Sequence, residues 1–147
     1  MKKKPETKKT GSGKEKIVFT TGKRKKAVAR ARFKPGSGKV TINAVPLDII
    51  NNEMIKMKMK EPLILVGDEW KKFDVKVNVK GGGITGQAEA VRQALAKGFA
   101  QILGDDIKKK FIDYDRYMLV ADPRRTEPHK PPHSSWGPRR YKQRSKR

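Results

Sequence analysis

Between Ala27 and Lys34 the chain changes character at nearly every residue. Ala27, Ala29, Ala31 and Phe33 occupy one parity; Val28, Arg30, Arg32 and Lys34 occupy the other. Side chains of a strand alternate between its faces, so this spacing predicts a strand with a small apolar side and a largely cationic one. The alternation recurs from Lys71 to Lys80, where Phe73, Val75, Val77 and Val79 oppose Lys72, Asp74, Lys76, Asn78 and Lys80. Chains patterned in this way set one face of a sheet against a core and leave the other to solvent or a partner.

Ile17 to Thr21 reads as a first strand and Gly22 to Lys26 as a basic turn. Lys39 to Asn43 reads as a third strand after the turn Pro35-Gly36-Ser37-Gly38. Residues 46–66 leave two readings open. Pro46 can open a short helix through Ile50, and Glu61-Pro62 can open another over Leu63 to Val66. Between them Met54, Met57 and Met59 alternate with lysines, which fits a helix or an irregular strand. These methionines are expected to serve adaptable core packing, with direct partner contact as the alternative. The longest helix is expected from about Gly86 to Leu103, capped by Thr85, with Ala88, Val91, Leu95, Phe99 and Ile102 facing a sheet. Ala90, Ala94 and Gly98 would let backbones approach closely. Gly104-Asp105 ends that helix and begins a shorter one anchored by Ile107 and Phe111. The order, strands first and then strand, loop, helix, helix, predicts an α+β sandwich of sheet against helices.

The ends differ from this middle. Residues 1–16 carry seven lysines against two glutamates, and residues 119–147 carry nine Lys/Arg against two acids, with five prolines. Neither segment can offset its ordering entropy by apolar burial. The expected organisation is a basic disordered extension over 1–16, a folded domain over 17–118 and an extended basic tail over 119–147. Of the net charge of +22, ten units remain on the middle segment. A field of that size repels itself and calls for a polyanionic partner. An anionic membrane is the rival polyanion. No stretch approaches eighteen consecutive apolar residues and the first residues lack an apolar signal core, so secretion and membrane spanning are not expected. Nucleic acid is the expected partner.

Seven cations and no acid lie in residues 23–34. Lys23, Arg24, Lys25 and Lys26 in a turn, followed by Arg30 and Arg32 on a strand, can cradle phosphates, lysines as mobile point charges and arginines as planar forks. The plain alternative is a solvated basic loop. Gly81-Gly82-Gly83 ahead of a helix can expose amides to an anion or simply make a tight lead-in; it is neither GxxxxGK[ST] nor GxGxxG. Arg92 on the following helix is a candidate for reaching RNA or an ordinary exposed flank residue.

Catalysis has little support. The absence of cysteine excludes disulfides, thiolate metal sites and cysteine nucleophiles. His129 and His133 lie four apart, but Pro128, Pro131 and Pro132 oppose the helix that spacing would need. Asp113 and Asp115 read as a surface pair. Neither a metal nor a cofactor is expected. Trp70 is expected at the edge of the core; Trp136 and Tyr141 can dock the tail or stack on bases.

Three separated motifs carry a resemblance. They are Thr21-Gly22-Lys23-Arg24-Lys25 with Ala27-Val28-Ala29-Arg30-Ala31; Gly81-Gly82-Gly83-x-x-Gly86-Gln87-x-x-Ala90, continuing through Ala94-x-Ala96-Lys97-Gly98-Phe99; and Gln143-Arg144-Ser145-Lys146-Arg147. Together they resemble the small-subunit ribosomal protein S9 family (uS9, called S16 in eukaryotic cytosolic ribosomes) over residues 17–147. Glu61-Pro62-Leu63, Tyr114-Asp115-Arg116 and Asp122 to Lys130 resemble its archaeal and eukaryotic branch. The resemblance implies an S5 domain 2-like fold in the small-subunit head, in the cytoplasm, beside other head proteins. It implies that the domain binds the 3′ major domain of the rRNA, with Lys23 to Lys26 as the rRNA-facing turn. Arg92, Arg124, Arg125, Arg139 and Arg140 join them as candidate rRNA contacts. It also implies that Arg144, Lys146 and Arg147 reach peptidyl-site tRNA. Archaeal relatives more often end in a tyrosine–arginine pair, so this chain departs from that pattern at Lys146. ATP-binding small-molecule kinases share the fold class, which makes an enzyme one alternative; a free RNA-annealing protein is another.

Overall fold

A computed structural model describes residues 17–126. The expectations for residues 1–16, for His129, His133, Trp136 and Tyr141, and for Arg139, Arg140, Arg144, Lys146 and Arg147 lie outside the described residues.

Five strands form one mixed sheet: β1 (Val18–Arg24), β2 (Ala27–Pro35), β3 (Val40–Ile42), β4 (Val45–Pro46) and β5 (Phe73–Lys80), ordered β1-β2-β5-β3-β4. Only β3 and β5 run parallel. The crossover joining them carries α1 (Glu53–Val66), as parallel neighbours require. After β5 come α2 (Ile84–Leu103) and α3 (Asp105–Tyr114). The architecture is α+β, a mixed sheet packed against helices.

The parity read from the sequence holds in both long strands. Ala27, Ala29, Ala31 and Phe33 of β2 and Val75, Val77 and Val79 of β5 are buried under α2, where Ala88, Val91, Leu95 and Phe99 meet them. The Phe33 and Phe99 rings lie edge to face, centroids 5.2 Å apart. Ile107, Phe111 and Met118 extend the core beneath α3 and the turn after it. Leu119 packs on that core and Asp122 is buried, so packing continues beyond residue 118.

Several expectations are corrected. Gly22, Lys23 and Arg24 belong to β1, not to a turn; the hairpin turns on Lys25 and Lys26 alone. Gly22 is there for contact, since a Cβ would sit 2.0 Å from the Ala90 carbonyl oxygen. Residues 53–66 form one helix, capped by Asn52, whose Oδ1 accepts from the Ile55 amide at 3.2 Å. Pro62 lies inside it. Its missing amide leaves the turn above unsupported, but burial of Met59, Pro62, Leu63 and Val66 outweighs that loss. Of the three methionines only Met59 is core; Met54 and Met57 are exposed. Thr85 does not cap α2. The helix begins one residue before it, at Ile84, with Gly83 in the cap position.

At the β3–β4 hairpin Asn43 and Ala44 both have left-handed backbones, φ 47° and 69°. Asn43 extends β3 by proxy: its Oδ1 accepts from the Val79 amide at 2.8 Å and its Nδ2 donates to the Val79 carbonyl at 3.1 Å. Ala44 has no such compensation. Relief of its left-handed strain slightly exceeds glycine's added chain entropy, so Ala44→Gly should stabilise the protein by about 0.5 kcal/mol. Gly22→Ala should destabilise it by about 3 kcal/mol, because backbone rather than a yielding side chain blocks the new methyl. Urea unfolding of the two variants beside the parent checks both signs.

Candidate nucleic-acid interface

Among the described residues α2 covers one side of the sheet, α1 and α3 pack against α2, and the other side is open. Its rows can be read from the register. Phe19 stands opposite Arg32, Arg32 opposite Lys76, and Lys76 opposite Thr41. In the next row Thr21, Arg30 and Asn78 align; beyond it lie Lys23, Val28 and Lys80. Lys23, Arg30, Arg32, Lys76 and Lys80 are exposed, and none has a carboxylate partner among the described residues. The acid on this face, Asp74, is spent locally. Its Oδ1 accepts from the backbone amides of Lys39 and Ser37, each at 2.9 Å, and those bonds hold its carboxyl below the usual range.

Lys25 and Lys26 extend the cationic surface around the end of the hairpin, both exposed, with Lys25 at φ 52°. The triglycine crosses this turn. Gly81 and Gly82 have φ of 78° and 67°, and a Cβ on Gly81 would lie 2.5 Å from the Lys26 carbonyl oxygen. A concavity of about 390 Å³ beside it is lined by Lys25, Lys26, Gly82, Gly83 and the first turn of α2. Gly81, Gly82 and Gly83 thus bring the start of α2 to the basic turn.

Two expected site residues are differently placed. Arg24 shares the parity of Thr20 and Gly22 and therefore points under α2. It pairs with Glu89, and its Nη1 lies 2.9 Å from Asp122 Oδ2. Arg92 is not an exposed flank residue: its side chain is 12% exposed, paired with Glu61 and, at 2.6 Å, with Asp115. Lys58 completes the cluster, 2.8 Å from Glu89. Burial opposes ionisation of Glu89, but hydrogen bonds from Lys58 and Arg24 prevail and hold its carboxyl below the usual range. Breaking such a half-buried pair strands the remaining charge, so Arg24 stitches β1 to α2 and the segment after α3, and Arg92 stitches α2 to α1 and the end of α3.

Arg124 and Arg125 are exposed. Arg124 forks onto Asp122, Nε at 2.9 Å and Nη2 at 2.6 Å, and its amide donates to Asp122 Oδ1 at 2.8 Å. With Arg24 on its other side, Asp122 clamps the segment after α3 onto the domain. Lys76, Lys80, Asn78 and Phe19 belong to the open face but were not expected as site residues. Their alternation was visible; the pairing of β5 beside β2, which joins them to Arg30 and Arg32, was not.

A sheet covered on one side and cationic on the other is the build of a protein that meets a polyanion. The chain belongs to the ribosomal protein S9/S16 family, whose pattern matches residues 22–147. It is 52% identical over 133 residues to small ribosomal subunit protein uS9 of Methanococcus maripaludis, a match covering 90% of this chain and 99% of that protein. Its likeness to uS9 of Desulfurococcus amylolyticus is 52% over 129 residues, covering 87% and 89%. With uS9 of Methanococcus vannielii it is 50% over 133 residues. It is of the archaeal and eukaryotic type.

The Asp122 clamp makes a pH prediction. Hydrogen bonds from the Arg124 side chain and amide, with both arginine charges, lower its carboxyl to about 2. A lowered carboxyl stabilises fully above its unfolded value near 4 and loses that effect as pH falls toward 2. Residues 119–124 should therefore stay docked at pH 3 and release below 2. In Asp122→Asn they should be loosened already at neutral pH. Hydrogen exchange at the Arg124 amide, followed across pH in both proteins, checks this.

Proposed function

We propose that this chain is a structural component of the small-subunit head, with an S5 domain 2-like domain holding the 3′ major domain of small-subunit rRNA. The observation that carries this reading is the unpartnered cationic sheet face in a chain of the S9/S16 family. Lys23, Arg30 and Arg32 lie on that face, and Lys25 and Lys26 at its end; Arg125 adds a further exposed cation. Phosphate contacts of this kind fix position without reading sequence. Arg24 and Arg92, being internally paired, act by holding the surface in shape. Arg124 works first as the Asp122 partner.

In this reading residues 1–16 are a basic extension, 17–118 the rRNA-binding domain and 119–147 a basic tail. The Asp122 clamp sets where the tail departs. Arg139 and Arg140 add phosphate contacts along it, and Arg144, Lys146 and Arg147 touch the backbone of peptidyl-site tRNA. The partners are thus rRNA, that tRNA and neighbouring head proteins, within the cytoplasmic ribosome. The kinase-like alternative is disfavoured. The triglycine is committed to crossing the hairpin, and the family is one of structural ribosomal proteins, not catalysts.

Replacing Lys25, Lys26, Arg30 and Arg32 together by glutamine should weaken RNA binding on any sequence. It should also lower the slope of log affinity against log salt by up to about three units. Salt-series titrations of parent and variant measure this; an unmoved slope assigns the surface to another job. Deleting residues 144–147 should leave the domain folded and incorporated but weaken tRNA retention across many tRNAs. Matched small subunits carrying full-length or shortened protein provide the comparison, and equal tRNA affinity rejects the tail assignment.

A further inference from the structure

Phosphate binding leaves one feature of the open face unused. Phe19 is an aromatic ring, 68% exposed, on the edge strand beside the rows of cations. It makes no contribution to the core, because its parity points it away from α2. An exposed phenylalanine on an edge strand adds nothing to the core and invites association, so its position asks for a ligand.

The surroundings indicate which ligand. The Arg32 guanidinium carbon lies 5.6 Å from the Phe19 ring centroid, over one side of the ring. At 68% exposure the other side is open. Next to the pair the sheet surface dips into a concavity of about 530 Å³, lined by Phe19, Arg30, Arg32, Thr41, Lys76 and Asn78. That set combines a flat π surface, three cations with no carboxylate partner among the described residues, and an amide and a hydroxyl able to donate or accept. An apolar protein partner would have to desolvate three like charges. An anionic membrane would need only the charges, and gives no use to a ring backed by a planar guanidinium beside an amide. A nucleotide uses all of them: base on ring, phosphates on cations, base edge toward the amide or hydroxyl.

We infer that Phe19 and Arg32 form a stacking platform for an unpaired base of bound RNA, with Arg30 and Lys76 holding the flanking phosphates and Asn78 and Thr41 facing the base edge. This rests on the phosphate-binding reading of the same face and adds a requirement for single-stranded RNA at one point on it. Bases within a duplex have no free face and cannot use the platform.

The test measures binding of the full chain to a short single-stranded oligoadenylate and to a fully paired RNA duplex, each across a salt series. Phe19→Leu keeps an apolar side chain at an exposed position, and unchanged thermal unfolding would show the fold intact. It should weaken single-strand binding about tenfold, with duplex affinity and both salt slopes unchanged. Phe19→Trp should restore or exceed the parent's single-strand affinity. Equal losses on both RNAs, or no loss on the single strand, overturn the platform. Failure of the underlying phosphate reading looks different: the salt slope would not move when the cations are neutralised, whatever residue stands at 19.

Discussion

The structure depends on how closely α2 lies against β1 and β2. Gly22 meets the Ala90 carbonyl with no room for a methyl, and Gly98 lies against the Phe33 ring with as little. This contact seals one side of the sheet and binds its edge: the Thr20 hydroxyl donates to the Ala94 carbonyl at 2.7 Å, and the Lys23 amide donates to the buried Gln93 side chain at 2.8 Å. Because α2 satisfies β1 from beneath, the upper face needs no cover. Cations can then stand in rows there without competing for core space.

Where α2 ends its hold on β1, ion pairs continue it. Arg24 and Arg92 reach from β1 and α2 to acids on α1, α2 and the segment after α3. Two populations of arginine therefore coexist. One, Arg24 and Arg92, is neutralised inside and fixes geometry; the other, Arg30 and Arg32, has no carboxylate partner among the described residues and supplies field outside. The distinction is one of parity and burial, not of residue type.

Much of this was legible in the chain. Alternation in β2 and β5 gave their faces, and the spacing of apolar residues in α2 gave the helix and its buried stripe. The failures have physical causes. Gly22-Lys23-Arg24 has turn composition, but the glycine answers a steric demand from α2, a partner about seventy residues away. Pro62 reads as a helix start because local propensity ignores the burial that carries α1 through it. Arg24 looked like its neighbours, and only the strand's true extent, which fixes its parity, turns it inward. Lys76 and Phe19 joined the candidate site through strand pairing alone, which no local pattern encodes.

The rows on the open face carry a cost for the isolated molecule. Arg32 stands directly opposite Lys76, and like charges facing across strands oppose folding. RNA bound there would cancel that repulsion and stabilise the fold by mass action. The newly made chain is then in its least stable state before assembly, and unincorporated copies are the ones most open to proteolysis. A surface built this way ties the stability of the fold to occupancy of that face by a polyanion, so that the empty molecule is the one nearest to unfolding.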